Sequence, residues 1–65
     1  MPRYRFQFEM GAELSDEKAK EVCNNIGPGA KPKTDIHIEK RPSRWPGMAV
    51  YTFTYDAPAP RRGGG

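Results

Sequence analysis

The chain has 65 residues, which is room for one domain, and folding at this size buries only about 60% of the surface of the unfolded chain. One cysteine and one histidine exclude an internal disulfide and a conventional metal site as sources of stability. We therefore expect no metal and no cofactor, and we expect association into a homodimer. The net charge of +3 favours anionic partners only weakly, because 11 basic and 8 acidic residues make a mixed surface.

Two absences in the sequence indicate the compartment. The chain contains no long apolar run and no charged-then-apolar leader. A single cysteine is also typical of a reducing compartment. We expect a cytoplasmic protein without a membrane segment, of the size that phages and mobile elements encode.

Residues 2–10 alternate between aromatic and polar side chains, which predicts a strand. Tyr4, Phe6 and Phe8 share one face, because strand side chains alternate between the two sides of a sheet. Arg3 and Arg5 occupy the other face, and charged side chains rarely face a dry core. The aromatic face of this strand is therefore predicted to be the buried one.

A helix of about three turns is predicted to begin after Ser15, whose hydroxyl can accept a hydrogen bond from an unpaired amide of the first turn. Its apolar residues follow helical spacing and form one narrow face: Ala19, Val22, Cys23 and Ile26. We interpret Cys23 as a small core residue. Gly27 is expected to end the helix in the left-handed conformation, and Pro28 prevents its continuation.

Two further strands are predicted at residues 34–40 and 48–55, separated by a loop at 41–47 that contains two prolines and a glycine. The last strand has aromatic residues on one face and apolar or small residues on the other, which favours the central position in a sheet. The predicted fold is therefore α+β, with element order β-α-β-β, an antiparallel three-stranded sheet of order 1-3-2 and the helix on its aromatic face. The domain is predicted to span residues 1–56, followed by a disordered basic tail, rich in proline and glycine, at 57–65.

The aromatic residues of the first and last strands also predict how the strands pair. One antiparallel register aligns the rings, with these pairs: Tyr4 and Tyr55, Phe6 and Phe53, Phe8 and Tyr51; it also sets Arg3 opposite Asp56. For the second strand, we predict that His37 lies on the polar face opposite Thr52, as an exposed structural histidine.

The aromatic face is larger than its predicted cover. Three tyrosines and three phenylalanines, each with about 150–250 Å² to bury, face a single short helix about 10 Å wide. We expect part of this face to remain uncovered, at its edge or at the end near Tyr4 and Tyr55. Another chain, a ligand or the loop carrying Trp45 would complete the cover.

The loop at 41–47 is the strongest candidate for a binding site. Trp45 and its neighbouring arginines are residue types that dominate binding hot spots, and the prolines reduce the entropy lost on binding. The sequence predicts contact with a protein partner through Arg41, Arg44 and Trp45, together with Tyr4 and Tyr55. The alternative is that Trp45 covers the core of its own domain. We interpret the chain as a small non-enzymatic binding or regulatory protein that engages a larger host protein.

A second interpretation is nucleic-acid binding. Basic residues collect near one end of the predicted sheet and in the tail: Arg3, Arg5, Lys31, Lys33, Arg61 and Arg62. Against this interpretation, the rings are predicted to face the helix, whereas RNA-stacking platforms expose them to solvent. Glu9, Asp35 and Glu39 also lie on the open face of the predicted sheet, where they repel phosphate.

A third interpretation rests on Pro2, because removal of Met1 would leave a secondary amine able to act as a general base. The chain begins with this proline, runs strand, helix, strand and ends in a hairpin, with Ser-Asp-Glu-Lys at 15–18 and Ile-His-Ile-Glu at 36–39. In this pattern it resembles the 4-oxalocrotonate tautomerase family, and the resemblance implies tautomerase activity at Pro2. The family's arginine before the helix is replaced at 12–14 by Ala-Glu-Leu, and its second-strand arginine is missing. We assign no catalytic residue and expect no enzymatic activity.

Overall fold

The structure is a computed structural model that describes residues 2–59. Its elements are β1 (Arg3–Gly11), α1 (Asp16–Ile26), β2 (Thr34–Pro42) and β3 (Met48–Asp56). The three strands form one antiparallel sheet in the order β1-β3-β2. The predicted α+β class, element order and strand order are confirmed.

The pairing of β1 with β3 follows the predicted register. Tyr4 lies opposite Tyr55, Phe6 opposite Phe53, and the pairing continues through Gly11. The rings of Phe6 and Phe53 stack with centroids 4.9 Å apart, and those of Tyr4 and Tyr55 stack at 5.9 Å. Alternation in the sequence therefore predicts both the face and the register, because slipping by one residue would turn every ring to the wrong side.

The pairing of β2 with β3 differs from the prediction by two residues. His37 pairs with Thr54 rather than with Thr52. The strand continues to Pro42, so the hairpin loop is shorter than predicted. Near its start β2 has a bulge between Thr34 and His37. The bulge contains Asp35 at φ 53°, a conformation that aspartate tolerates better than most residues.

Helix α1 packs on the aromatic face through Ala19 and Cys23, which are fully buried. Ser15 caps its N-terminus as predicted, since the Ser15 hydroxyl accepts a hydrogen bond from the Lys18 amide. The prediction for the other end was wrong: Gly27 is extended, at φ −68° and ψ 149°. Glycine fits there for a steric reason, because a Cβ would lie 2.6 Å from the Tyr55 hydroxyl oxygen.

The folded domain continues past the predicted boundary at residue 56. Ala57 is fully buried in the core, and the Pro58 carbonyl oxygen accepts a hydrogen bond of 2.8 Å from the Ala30 amide. The boundary prediction was therefore too early by at least two residues. The rest of the predicted tail, residues 60–65 with Arg61 and Arg62, lies outside the described residues.

None of the helical structure within residues 2–59 has the length and apolar character needed to cross a bilayer.

Candidate protein-binding site

The aromatic residues of the central strand are sealed within the chain itself. Tyr51, Phe53 and Tyr55 have at most 1% of their surface exposed. The Tyr55 hydroxyl donates a hydrogen bond of 2.6 Å to the Pro28 carbonyl oxygen, and burial raises its pKa to about 12. The expectation that Tyr55 lies at an uncovered end was therefore wrong, and Tyr55 offers no surface to a partner. Tyr4 beside it is partly buried.

Two lysines supply the cover that the helix lacks. Lys33 is buried, and its ammonium group lies 5.9 Å from the Tyr55 ring while donating to the Asn24 carbonyl oxygen at 3.0 Å. That carbonyl belongs to the last turn of α1, where a positive charge is favourable to the helix dipole. At the other end of the sheet, Lys40 lies 5.5 Å from the Tyr51 ring. In both cases the ammonium group lies over the face of a buried ring, where a cation is attracted by the ring electrons.

Sequence reasoning missed this role because it counted lysines as surface charge. One signal was present: Lys40 has the same strand parity as Ile36 and Ile38, the two inward residues of β2. The register then places Lys40 directly opposite Tyr51. Its ammonium group also donates 2.9 Å to the Ala12 carbonyl oxygen, in the turn before the helix.

Among residues 2–59, the exposed large hydrophobic side chains are Phe8, Ile26 and Trp45, at 44%, 51% and 59%. Phe8 lies on β1, at an edge of the sheet. We expected the uncovered part of the aromatic face at its edge or at the end near Tyr4 and Tyr55. It lies at the edge, at Phe8, and not at the Tyr55 end. Trp45 does not cover the core, so the alternative interpretation of that residue was wrong.

The Trp45 loop, residues 43–47, is held in place at both ends. The Ser43 amide donates to the Met48 carbonyl oxygen at 3.2 Å, and the Met48 amide donates to the Trp45 carbonyl oxygen at 3.2 Å. The Ser43 hydroxyl accepts from the Trp45 amide at 3.1 Å and donates to the Glu9 carboxylate on β1. These bonds fix the backbone under the indole, whereas the indole itself faces solvent.

Further contacts and residue types stiffen the same loop. The Gly47 carbonyl oxygen accepts 2.9 Å from the Ala12 amide, and Gly47 has φ +76°, which favours glycine. Pro46 fixes one more backbone dihedral. The loop is therefore ordered by hydrogen bonds to β1, to the turn that follows β1 and to the start of β3.

Two arginines of the predicted site, Arg41 and Arg44, are accessible to solvent. Arg44 is exposed, and Arg41 contacts Glu39 at 3.3 Å with both side chains mostly in solvent. An ion pair this exposed contributes little and opens easily. The Trp45 loop therefore presents an exposed apolar ring, with the exposed Arg44 next to it in sequence.

The candidate nucleic-acid residues do not form one basic surface. Arg3 lies between Asp35 and Asp56, with 3.0 Å contacts to both carboxylates. This hydrogen bond from Arg3, helped by the charge of nearby His37, lowers the pKa of Asp35. Lys33 is buried, whereas Arg5 and Lys31 are exposed. Arg61 and Arg62 lie outside the described residues, so the described part of this set offers Arg5 and Lys31 to a phosphate.

The residues considered for chemistry, Pro2, Cys23 and His37, form no hydrogen bond with one another within residues 2–59. Pro2 is exposed, and its carbonyl oxygen accepts 3.2 Å from the Ala57 amide. Cys23 belongs to α1 and is buried in the core, and burial raises the pKa of its thiol. The His37 ring contacts Asp35 at 3.2 Å on the open face. Within residues 2–59 there is neither a pocket nor a group of three metal-ligating side chains.

No protein-family model, curated protein or solved structure significantly matches this chain.

Proposed function

We propose that this chain is a small protein-binding module that docks on a larger protein through the Trp45 loop. The observation that carries the proposal is the indole itself, exposed at 59% on a loop whose backbone is fixed by hydrogen bonds. Removing the apolar surface of an exposed tryptophan from water is favourable, and a partner that covers the ring would gain this free energy. A fixed loop also has little conformational entropy left to lose when a partner covers the ring.

The residue types near Trp45 support a partner of a particular chemistry. Tryptophan and arginine are the residue types most enriched among binding hot spots. Arg41 and Arg44 beside Trp45 fit a partner whose apolar pocket is bordered by aspartate or glutamate. Charge attraction would raise the association rate, and insertion of the indole would set the lifetime of the complex.

The biological part of the proposal is a regulatory role in the cytoplasm, of the kind that a short phage-encoded or mobile-element protein has toward a host protein. The single cysteine supports the reducing compartment in this part of the proposal. Its test is the identity of the partner, which the experiment below provides.

The test compares three forms of the full chain as affinity baits in lysate of the source organism: wild type, Trp45→Ala and Ile26→Ala. Ile26 is the matched control, because it is also exposed and apolar but belongs to the end of α1 near Tyr55, at the opposite end of the sheet. Circular dichroism establishes that all three are folded. The protein enriched by wild type is then purified and its affinity for each form measured by calorimetry.

We expect Trp45→Ala to weaken binding about thirtyfold or more, as for a central hot-spot residue, and Ile26→Ala to bind as wild type does. Equal affinity of folded Trp45→Ala and wild type would refute docking through the loop.

A further inference from the structure

The outer edge of β1 carries unpaired backbone groups. Just before β1 begins, the Pro2 carbonyl oxygen accepts a hydrogen bond from the Ala57 amide, and just after β1 ends, the Ala12 amide donates one to the Gly47 carbonyl oxygen. In an antiparallel ladder, residue pairs that exchange hydrogen bonds alternate with pairs that do not. Even-numbered residues of β1 therefore direct their N–H and C=O groups toward β3, and residues 3, 5, 7 and 9 direct theirs outward. Within residues 2–59 no backbone group bonds to that outward row.

The two edges of the sheet differ in how they are protected. The β2 edge has a bulge at Asp35 and a proline at its end, both of which discourage pairing with another strand. Strand β1 has no bulge and no proline from Arg3 to Gly11. It also carries Phe8, exposed at 44%. The unprotected edge is thus the one with uncovered apolar surface.

We propose that β1 pairs antiparallel with β1 of a second copy, about a two-fold axis at Gln7. In this register Arg5 of each copy lies opposite Glu9 of the other, and Gln7 lies opposite itself. On the aromatic face, Phe6 of each copy lies opposite Phe8 of the other, which covers the exposed ring. The product is a continuous six-stranded sheet with both helices on one side.

Charge complementarity selects this register and this occupant. Only odd residues can form hydrogen-bonded pairs across the new edge, which leaves few alternatives. An axis at Arg5 sets that arginine against itself, and like charges directly opposite destabilise a sheet. An axis at Phe6 sets Glu9 against Arg3, which is already held by two aspartates. In contrast, Arg5 is exposed and has no ion pair within residues 2–59.

The proposal uses the edge of β1, whereas docking through Trp45 uses the β2–β3 hairpin. Glu9 also accepts a hydrogen bond from the Ser43 hydroxyl of the Trp45 loop, so Arg5→Glu is the variant that leaves the contacts of that loop unchanged. The proposed dimer also supplies a reason for a domain this small to be stable, since association adds the apolar burial that its own core lacks.

Sedimentation equilibrium of the full chain over a range of concentrations tests the proposal. Wild type is expected to dimerise. Arg5→Glu and Glu9→Arg each create like-charge pairs across the axis and are each expected to weaken the dimer about tenfold or more.

Mixing the two variants is the decisive step. The glutamate introduced in one variant then lies opposite the arginine introduced in the other, and the unchanged Arg5 lies opposite the unchanged Glu9. A heterodimer of near wild-type affinity is therefore expected. Lys31→Glu, with the same charge change in an exposed loop, is the control and should dimerise as wild type does.

Three results would overturn the proposal. The first is a wild type that stays monomeric at all concentrations, which would mean that the β1 edge pairs with a foreign extended peptide or stays unpaired. The second is a dimer unaffected by Arg5→Glu, which places the interface elsewhere. The third is a mixture of folded variants that fails to form the heterodimer, which refutes the register. Circular dichroism of each variant separates loss of pairing from loss of fold.

Discussion

Replacing Gly27 by alanine is expected to destabilise the domain although the backbone there suits any residue. At φ −68° alanine meets no conformational penalty. Its Cβ, however, would lie 2.6 Å from the Tyr55 hydroxyl oxygen, 2.7 Å from the Cys23 carbonyl oxygen and 2.8 Å from a ring carbon of Phe6. All three atoms would have to move by several tenths of an ångström. Two belong to packed rings and one to the helix backbone, so none can move freely.

Overpacking of this kind costs about 1–3 kcal/mol, against a total stability of roughly 3–5 kcal/mol for a core this small. With a urea slope of about 1 kcal/mol/M, the midpoint of unfolding should fall by about 1–3 M. The assay is urea unfolding followed by far-ultraviolet circular dichroism, because the exposed Trp45 is a poor reporter of the core. In a Tyr55→Phe background the cost should be smaller, since the closest of the three contacts is gone.

Two other glycines serve as controls for the steric explanation. A Cβ at Gly11 would approach only Leu14, at 3.5 Å, so Gly11→Ala should change stability by no more than about 0.5 kcal/mol. A Cβ at Gly47 would meet nothing within 4 Å, but φ is +76°, so Gly47→Ala should cost roughly 1–2 kcal/mol through the backbone alone. If Gly27→Ala unfolds at the same urea concentration as Gly11→Ala, the close packing of Gly27 under the two rings is refuted.

Further predictions concern pH and thiol chemistry. Burial raises the pKa of Tyr55 from about 10 in the unfolded chain to about 12, so its contribution to stability is complete below about pH 10 and is lost as pH rises through about 12. In urea unfolding at alkaline pH, Tyr55→Phe should lose less stability than wild type, and equal losses would count against the burial of this hydroxyl. The pKa of Asp35 is lowered by its hydrogen bond from Arg3, so its contribution is present above about pH 3.9 and lost as pH falls through the lowered value; Asp35→Asn should flatten the acid side of the stability curve, and an unchanged acid slope would show that the contact does not form. Cys23, buried with a raised pKa, should react with an aromatic disulfide reagent only as fast as the domain opens; rapid reaction of the folded protein would contradict its burial.

The sequence predicts those parts of the fold that depend on alternating aromatic and polar residues. Aromatic residues at every second position of both β1 and β3 determine which face is buried, and matching the rings determines the register. Ser15 likewise marks the start of α1 through a local hydrogen bond. These features depend on neighbours in sequence or on one strong pairing, so they can be derived without coordinates.

The features that the sequence did not predict depend on distant contacts. The bulge at Asp35 shifts the register of β2. Aspartate occurs in many kinds of local structure, so its presence in the sequence does not predict a bulge. The burial of Lys33 requires knowing that a loop residue reaches both the helix end and the Tyr55 ring. For the candidate site, the residue types of the Trp45 loop were predictable, but the choice between core cover and exposed surface was not, because it depends on how fully the lysines and the helix close the core.

Collisional quenching of Trp45 fluorescence tests the central claim most directly, because Trp45 is the single tryptophan of the chain. With the indole exposed at 59% and Arg44 next to it in sequence, iodide should quench the folded protein nearly as efficiently as it quenches the urea-unfolded chain. The emission wavelength should change little on unfolding. The measurement is made at a concentration at which sedimentation shows one species. A blue-shifted emission in the folded protein, protected from iodide until urea unfolds the domain, would place the indole in the core and contradict the account.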